Sequence, residues 1–134
     1  MKLISSISDF QSWRQACSGT IGFVPTMGAL HSGHLSLVHK SNSKCDLTIV
    51  SIYVNPAQFT PGEDLSNYPR DLEKDLEALS KFQVDVVFFP DDKQMYPQGF
   101  STFILEDNFS HRLEGKSRPE HFKGVLTIVG KLFN

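Results

Sequence analysis

The chain has 134 residues, 40% of them hydrophobic and 21% charged, which suits one globular domain with its own core and leaves little room for a second. A formal net charge of -2 excludes the basic surface of a general nucleic-acid binder, and no apolar run approaches the roughly 18 residues of a membrane span. Cys17 and Cys45 need not pair in a core of this size, and the N-terminus lacks the basic-then-apolar order of a secretion signal, so the reading is of a cytoplasmic protein.

Ser8 and Gln11 have capping-box spacing, and Phe10, Trp13, Ala16 and Cys17 recur at helical intervals up to Gly19, predicting a short opening helix. Thr20 to Met27 is β-branched and aromatic around Ile21, Phe23 and Val24 and runs into Gly28, which predicts a buried strand feeding a loop. Leu35, Leu37 and Val38 belong to a helix reaching about Lys44, and Leu47 to Val54 is a nearly continuous apolar strand. Asn55 and Pro56 end that strand; Pro61, Gly62 and Asn67 mark a loop; Pro69 then starts a helix whose apolar face is Leu72, Leu76 and Leu79. Val84 to Phe89 is a further strand, stopped by Pro90. Thr102 to Leu105 suits another strand, whereas Phe122 to Phe133 is compatible with helix or strand.

Strands and helices that alternate in this way, with wholly apolar strands, predict the α/β class: a parallel sheet with helices on both faces, one domain over residues 1–134. Charge is uneven along it. From Glu63 to Asp92 there are nine acids against three bases, and from His111 to Lys131 five Lys or Arg against two acids, with two histidines besides; the acidic block reads as solvated helix faces, and the basic one suits an anionic small molecule.

In an open parallel sheet, ligands bind beyond the carboxyl ends of the strands, so function is sought just after Val24 and Val54. The first segment, Pro25-Thr26-Met27-Gly28-Ala29-Leu30-His31-Ser32-Gly33-His34, sets two glycines and two imidazoles at a helix start. Free backbone N–H groups and the positive end of the helix dipole suit phosphate there. The spacing of Gly28 and Gly33 imitates a P-loop, but His34 and Leu35 follow in place of a lysine and a Ser or Thr. A zinc site would want more soft ligands than this segment offers, and a purely structural role for both histidines stays open.

Taken with its flanks, Thr-x-Gly-x-x-His-x-Gly-His after a strand resembles the signature of the nucleotidyltransferase (HxGH) superfamily. The longer string from Pro25 to His34 is similar to that of the pantothenate synthetase (pantoate–β-alanine ligase) family. Val54-Asn55-Pro56-Ala57-Gln58-Phe59, Tyr68-Pro69-Arg70 and Ser117-Arg118-Pro119-Glu120-His121-Phe122-Lys123-Gly124-Val125 resemble the family's later motifs in the same order, with Ala57 and Glu120 as departures. The resemblance implies a Rossmann-like fold and an ATP-dependent ligase that joins pantoate to β-alanine through pantoyl adenylate. It implies that Met27, Gly28, Ala29, Leu30, His31, Ser32, Gly33 and His34 line the ATP site, His34 as the principal catalytic histidine and His31 as its partner on the phosphates. Gln58, with Asn55, Tyr68, Pro25, Met27, Arg118 and His121, would serve pantoate and β-alanine.

The resemblance further implies Mg2+ carried by the phosphates without dedicated protein ligands, a homodimer, small-molecule partners, and neither nucleic acid nor membrane. Family members continue past Asn134, so the expectation is of a truncated chain, weakly active or inactive alone, without the C-terminal domain that would supply a lysine, an acidic cluster and a mobile loop. Two rivals remain: a nucleotidyltransferase with a different acceptor, and a non-catalytic ligand-binding module.

Overall fold

The computed structural model describes residues 1–134. The chain divides into two compact units, each made of two stretches: Met1–Val54 with Pro69–Gln94, and Asn55–Tyr68 with Met95–Asn134.

The first unit contains β1 (Lys2–Ile4), α1 (Ile7–Ala16), β2 (Ile21–Thr26), α2 (Ser32–Lys44), β3 (Leu47–Ile52), α3 (Leu72–Leu79) and β4 (Val86–Phe88); α4 (Asp92–Met95) follows. The four strands form one parallel sheet in the order β1-β4-β3-β2. Register explains how it buries both faces. Val24 lies beside Val50, and Val50 beside Val87, so three valines form a row that Val38 of α2 and Leu79 of α3 cover. The next residue after Val87, Phe88, points to the opposite face, where Phe10 of α1 stacks on it at 4.5 Å between ring centroids. Crossover handedness agrees: β2 to β3 to β4 steps across the sheet in one direction and β1 to β2 steps back, which puts α1 on the face away from α2 and α3. This is the expected Rossmann-like α/β layering.

Several boundaries differ from the sequence reading, for local reasons. The N-cap of α1 is Ser6, whose hydroxyl accepts from the Asp9 N–H at 3.3 Å, while Ser8 is already helical and its hydroxyl pairs with that of Ser6. Helix α3 begins at Leu72 and not at Pro69, because Asp71 caps it through the Lys74 N–H at 3.0 Å. Strand β1 is too short, at three residues, to show a period of its own.

The second unit holds a 3-10 turn at Pro56–Gln58, another at Phe109–His111, α5 (Glu114–Ser117) and α6 (His121–Phe133). Phe122 to Phe133 is thus helix. Gly124, Thr127 and Ile128 are its buried residues, at i, i+3 and i+4. Gly124 admits close approach: a Cβ there would lie 2.0 Å from the Ala57 carbonyl oxygen, so α6 meets the Pro56–Gln58 turn backbone to backbone. The expected strand at Thr102–Leu105 is absent. The Ile104 N–H donates to Thr127 Oγ1 at 3.0 Å, which ties the segment to a helix in place of a ladder. Tyr96, Phe100 and Phe103 pack edge to face in series, with Lys131 4.1 Å over Phe100 and Lys123 4.7 Å over Phe103. Both cysteines are free, and no helix is long and apolar enough to cross a membrane.

Candidate functional site

The loop after β2 is where the first unit departs most from regular backbone. Gly28 has φ +80° and Ala29 φ +51°, a left-handed pair that glycine adopts freely and alanine only at a cost of about 1 kcal/mol. Gly28 is buried, and a Cβ on it would come within 2.8 Å of an Asp75 oxygen and 3.2 Å of Ile52. The strain is held by Asp75 of α3, 4% exposed, whose two carboxylate oxygens accept from the Ala29 N–H at 3.0 Å and the Leu30 N–H at 2.8 Å. Thr26 Oγ1 accepts from the Gly28 N–H at 3.1 Å and donates to the Ser51 carbonyl at 2.8 Å.

The start of α2 is capped by imidazoles. His31, the N-cap, accepts at Nδ1 from the Gly33 N–H at 3.1 Å, and His34 accepts at Nδ1 from the His31 N–H at 3.3 Å. The rings lie 4.1 Å apart. An imidazole that accepts at Nδ1 carries its single proton at Nε2, so both rings are held as Nε2–H donors. Burial lowers the pKa of His34 below the ordinary 6.5, His31 lowers it further, and Asp75 opposes both; His34 therefore keeps this neutral form through neutral pH.

The sequence reading expected free N–H groups at this helix start for phosphate, and the structure narrows the choice. Those of Gly28, Ala29, Leu30, His31 and Gly33 all have internal partners, which also separates the loop from a P-loop nest. Leu30 packs against the core cluster, so its side chain is structural. Pro25 and Ser32 are exposed, and Met27 is half-buried. Met27 and Gly28 line a cleft of about 360 Å³ with Tyr53, Asp75, Phe89 and Asp92 among its walls. The cleft opens at the carboxyl ends of β2, β3 and β4, and its volume is that of a small-ligand pocket. The imidazoles are not among its walls.

In the second unit the structure brings Asn55, Gln58, Arg118 and His121 together. Asn55 is fully buried; Oδ1 accepts from the Ala57 N–H at 3.3 Å and from the Tyr96 hydroxyl at 2.7 Å, and Nδ2 donates to Gln58 Oε1 at 2.9 Å and the Gly124 carbonyl at 3.1 Å. The Gln58 carbonyl accepts from Arg118 Nη2 at 3.3 Å and from His121 Nδ1 at 2.9 Å. A carbonyl only accepts, so His121 carries its proton at Nδ1, the reverse of His31 and His34. Arg118 also pairs with Glu63 at 2.5 Å and Glu114 at 3.6 Å, so its charge is largely compensated within the protein. Glu63 in turn accepts from the Thr60 N–H and hydroxyl, which with Arg118 hold its carboxyl down to about 2. Tyr68 meets the edge of Phe59 at 5.8 Å. The basic stretch is thus less available to an anion than its composition suggests.

Asp75 and Tyr96 were missed by the sequence reading. Asp75 had a signal: it interrupts the apolar stripe of Leu72, Leu76 and Leu79, an acid on a face that packs inward. Tyr96 had none. No group of three or more His, Cys, Asp or Glu side chains is arranged to hold a metal ion.

Comparison with known proteins agrees with these motifs. The family profile described as pantoate-beta-alanine ligase matches residues 2–134. The pantothenate synthetase of Roseiflexus castenholzii is 52% identical over 134 residues, which is 100% of this chain and 48% of the relative; that of Pseudothermotoga lettingae is 58% identical over 115 residues, 86% and 41%. The crystal structure of pantothenate synthetase from Thermus thermophilus superposes with a TM-score of 0.92 at 44% identity, covering 99% of this chain and 48% of that one. Pantoate-beta-alanine ligase from Francisella tularensis, complexed with beta-gamma ATP and beta-alanine, gives 0.93 at 47%, covering 98% and 52%. The chain spans about half the length of the curated relatives it matches.

Proposed function

The chain belongs to the pantoate-beta-alanine ligase family, and from that premise we propose that the protein carrying it makes pantothenate from pantoate, β-alanine and ATP. In the first step a pantoate carboxylate oxygen bonds to the α-phosphorus of ATP as the bond to the β-phosphate bridging oxygen breaks, releasing pyrophosphate. In the second, the β-alanine amine bonds to the activated carbonyl carbon, AMP leaves with the C–O electron pair, and the amine loses a proton. The observation that carries the reading is the pair of imidazoles held as Nε2–H donors at the start of α2. Neutral donors fixed by backbone need no reorganisation as charge builds on phosphate oxygens, which is the arrangement electrostatic catalysis rewards.

In this reading the segment from Met27 to His34 serves ATP, with His34 the principal donor and His31 its partner, while Gln58, with Asn55, Tyr68, Pro25, Met27, Arg118 and His121, serves pantoate and β-alanine. Residues 1–134 then act as the nucleotide- and pantoate-binding part of a longer homodimeric cytoplasmic enzyme, whose remaining phosphate-binding groups lie in the additional length seen in relatives. Mg2+ supplies charge neutralisation on the triphosphate; no residue of this chain is assigned to it.

The test is pantoate-dependent exchange of labelled pyrophosphate into ATP by the complete gene product, with His34→Ala and the 134-residue chain alongside. Exchange that requires pantoate and collapses in His34→Ala supports the proposal. Exchange that proceeds equally with another carboxylic acid, or is absent with folded protein and magnesium, overturns it.

A further inference from the structure

Arg118 closes α5, and each of its guanidinium nitrogens already faces an acceptor. Nη2 donates to the Gln58 carbonyl at 3.3 Å, Nε meets Glu63 Oε1 at 2.5 Å and Nη1 meets Glu114 Oε2 at 3.6 Å. The Gln58 bond, with the Arg118 N–H to the Glu114 carbonyl at 2.8 Å, anchors the arginine independently of Glu63. Glu63 gives the guanidinium one oxygen only. Its other oxygen, Oε2, accepts from the Thr60 N–H at 2.5 Å and the Thr60 hydroxyl at 2.8 Å. The pair is therefore monodentate, whereas a free carboxylate can meet an arginine fork through two parallel N–H···O bonds, the stronger arrangement. The two side chains are 26% and 28% exposed, and an ion pair open to water in this way is weak enough to be displaced. The same contact holds a segment in place. Within residues 60–67 the hydrogen bonds are local: the Glu63 N–H to the Thr60 carbonyl, the Leu65 N–H to the Glu63 carbonyl, and Ser66 and Asn67 to the Asp64 carboxylate. The pair with Arg118 is the one salt bridge that ties this stretch to α5.

We propose that Glu63 is an internal competitor, a carboxylate that occupies Arg118 in the free protein, and that a ligand carboxylate taking its place on Arg118 unlatches residues 60–67. Where pantoate or β-alanine is named as that ligand, the inference rests on the function proposed above. The contact is autoinhibitory in a thermodynamic sense, because apparent affinity falls by the fraction of Arg118 that Glu63 leaves available. Coupling runs both ways: a ligand that opens the segment binds more tightly when the segment is already open. It also selects by chemistry. A carboxylate can offer Arg118 both oxygens and so recover more than Glu63 gives up, whereas a neutral hydroxyl recovers less. Glu63 keeps its bonds to Thr60 when it leaves Arg118, so the turn at residues 60–63 survives and the segment moves as a unit. The bonds from Thr60 also hold the Glu63 carboxyl down to about 2, so the competitor is charged wherever a ligand carboxylate is.

The experiment is backbone ¹⁵N relaxation with amide-shift titration on the 134-residue chain, using pantoate, β-alanine and propionate, the last a bare carboxylate, as probes and 1-propanol as the uncharged control. In the free parent chain, residues 62–67 are expected to have order parameters near the rigid value of about 0.85, falling toward about 0.6 with a bound carboxylate and unchanged with 1-propanol. Glu63→Gln keeps the length of the side chain and removes its charge. It is expected to lower the same order parameters without ligand, to leave those of residues 47–52 unchanged, and to bind the carboxylate about fivefold more tightly than the parent. A Glu63 that only supports the fold gives the opposite sign, since loosening the segment then weakens the ligand. Arg118→Gln abolishes the response to every carboxylate. A response to propionate but to neither pantoate nor β-alanine supports the latch and rejects those two acids as its ligands, so the two readings fail separately. Carboxylate binding by Glu63→Gln that is unchanged or weaker, or residues 62–67 that respond to none of the three carboxylates, overturns the proposal.

Discussion

The loop after β2 and the turn at Asn55–Gln58 each follow an apolar strand, and each is organised by one buried polar side chain. In the first, that side chain is Asp75, an ionised acceptor that gathers the N–H groups of Ala29 and Leu30; in the second it is Asn55, which accepts on one side and donates on the other. A carboxylate can only collect donors, so it fixes backbone shape. An amide passes direction along, so it fixes the polarity of the next side chain. The histidines follow the same division: His31 and His34 accept from backbone and keep Nε2–H, whereas His121 donates to backbone from Nδ1. Similar residue types after similar strands therefore differ in what they offer a ligand, and the difference lies in which backbone group each one faces.

The comparison can be broken most severely at His34. If His34 serves ATP as proposed, His34→Ala in the complete gene product is expected to lower the pyrophosphate exchange rate by about 10²–10³-fold, with a native circular dichroism spectrum. Asp75→Ala comes next: it leaves two partly buried N–H groups without their carboxylate and should cost about 2–4 kcal/mol in urea unfolding of the chain. The milder Asp75→Asn keeps the shape and removes the charge. Because Asp75 raises the His34 pKa against the larger effect of burial, His34 in this variant titrates at still lower pH, as read from its imidazole shifts.

Gly124→Ala tests the second region. A methyl group driven against the Ala57 carbonyl is expected to destabilise by about 1–3 kcal/mol and to perturb amide shifts at residues 55–58 while leaving those of residues 28–34 in place. The smallest effect belongs to Glu63. Its folded pKa of about 2 lies below the ordinary 4.5, so its contribution is present above pH 4.5 and is lost as the pH falls through 2; a carboxyl-carbon titration of Glu63 should show a midpoint near the lower value.

Much of the first unit was legible because its strands are continuous apolar runs whose valines meet in register, and a helix fits between each successive pair. The Gly28–His34 loop was legible as a motif, although the fate of its N–H groups was not: the partner, Asp75, is 45 residues from Leu30 in the chain, and only its place within an apolar stripe hinted at it. The second unit was far less readable. Its two stretches are separated in sequence, Phe122 to Phe133 is apolar enough to satisfy either period, and Thr102–Leu105 has strand-like residues whose backbone is claimed by Thr127. Tyr96 could not be found from the sequence, since its role depends on a contact with Asn55 across 41 residues.

The most direct test of the account is the ¹⁵N spectrum of the imidazoles in the 134-residue chain above pH 6.5, without and with ATP. The account predicts His31 and His34 protonated at Nε2 and His121 at Nδ1, with ATP shifting the Nε2 resonances of His31 and His34. Protonation of His34 at Nδ1, or Nε2 resonances of both loop histidines that ignore saturating ATP, would contradict the claim that this loop presents fixed donors to phosphate.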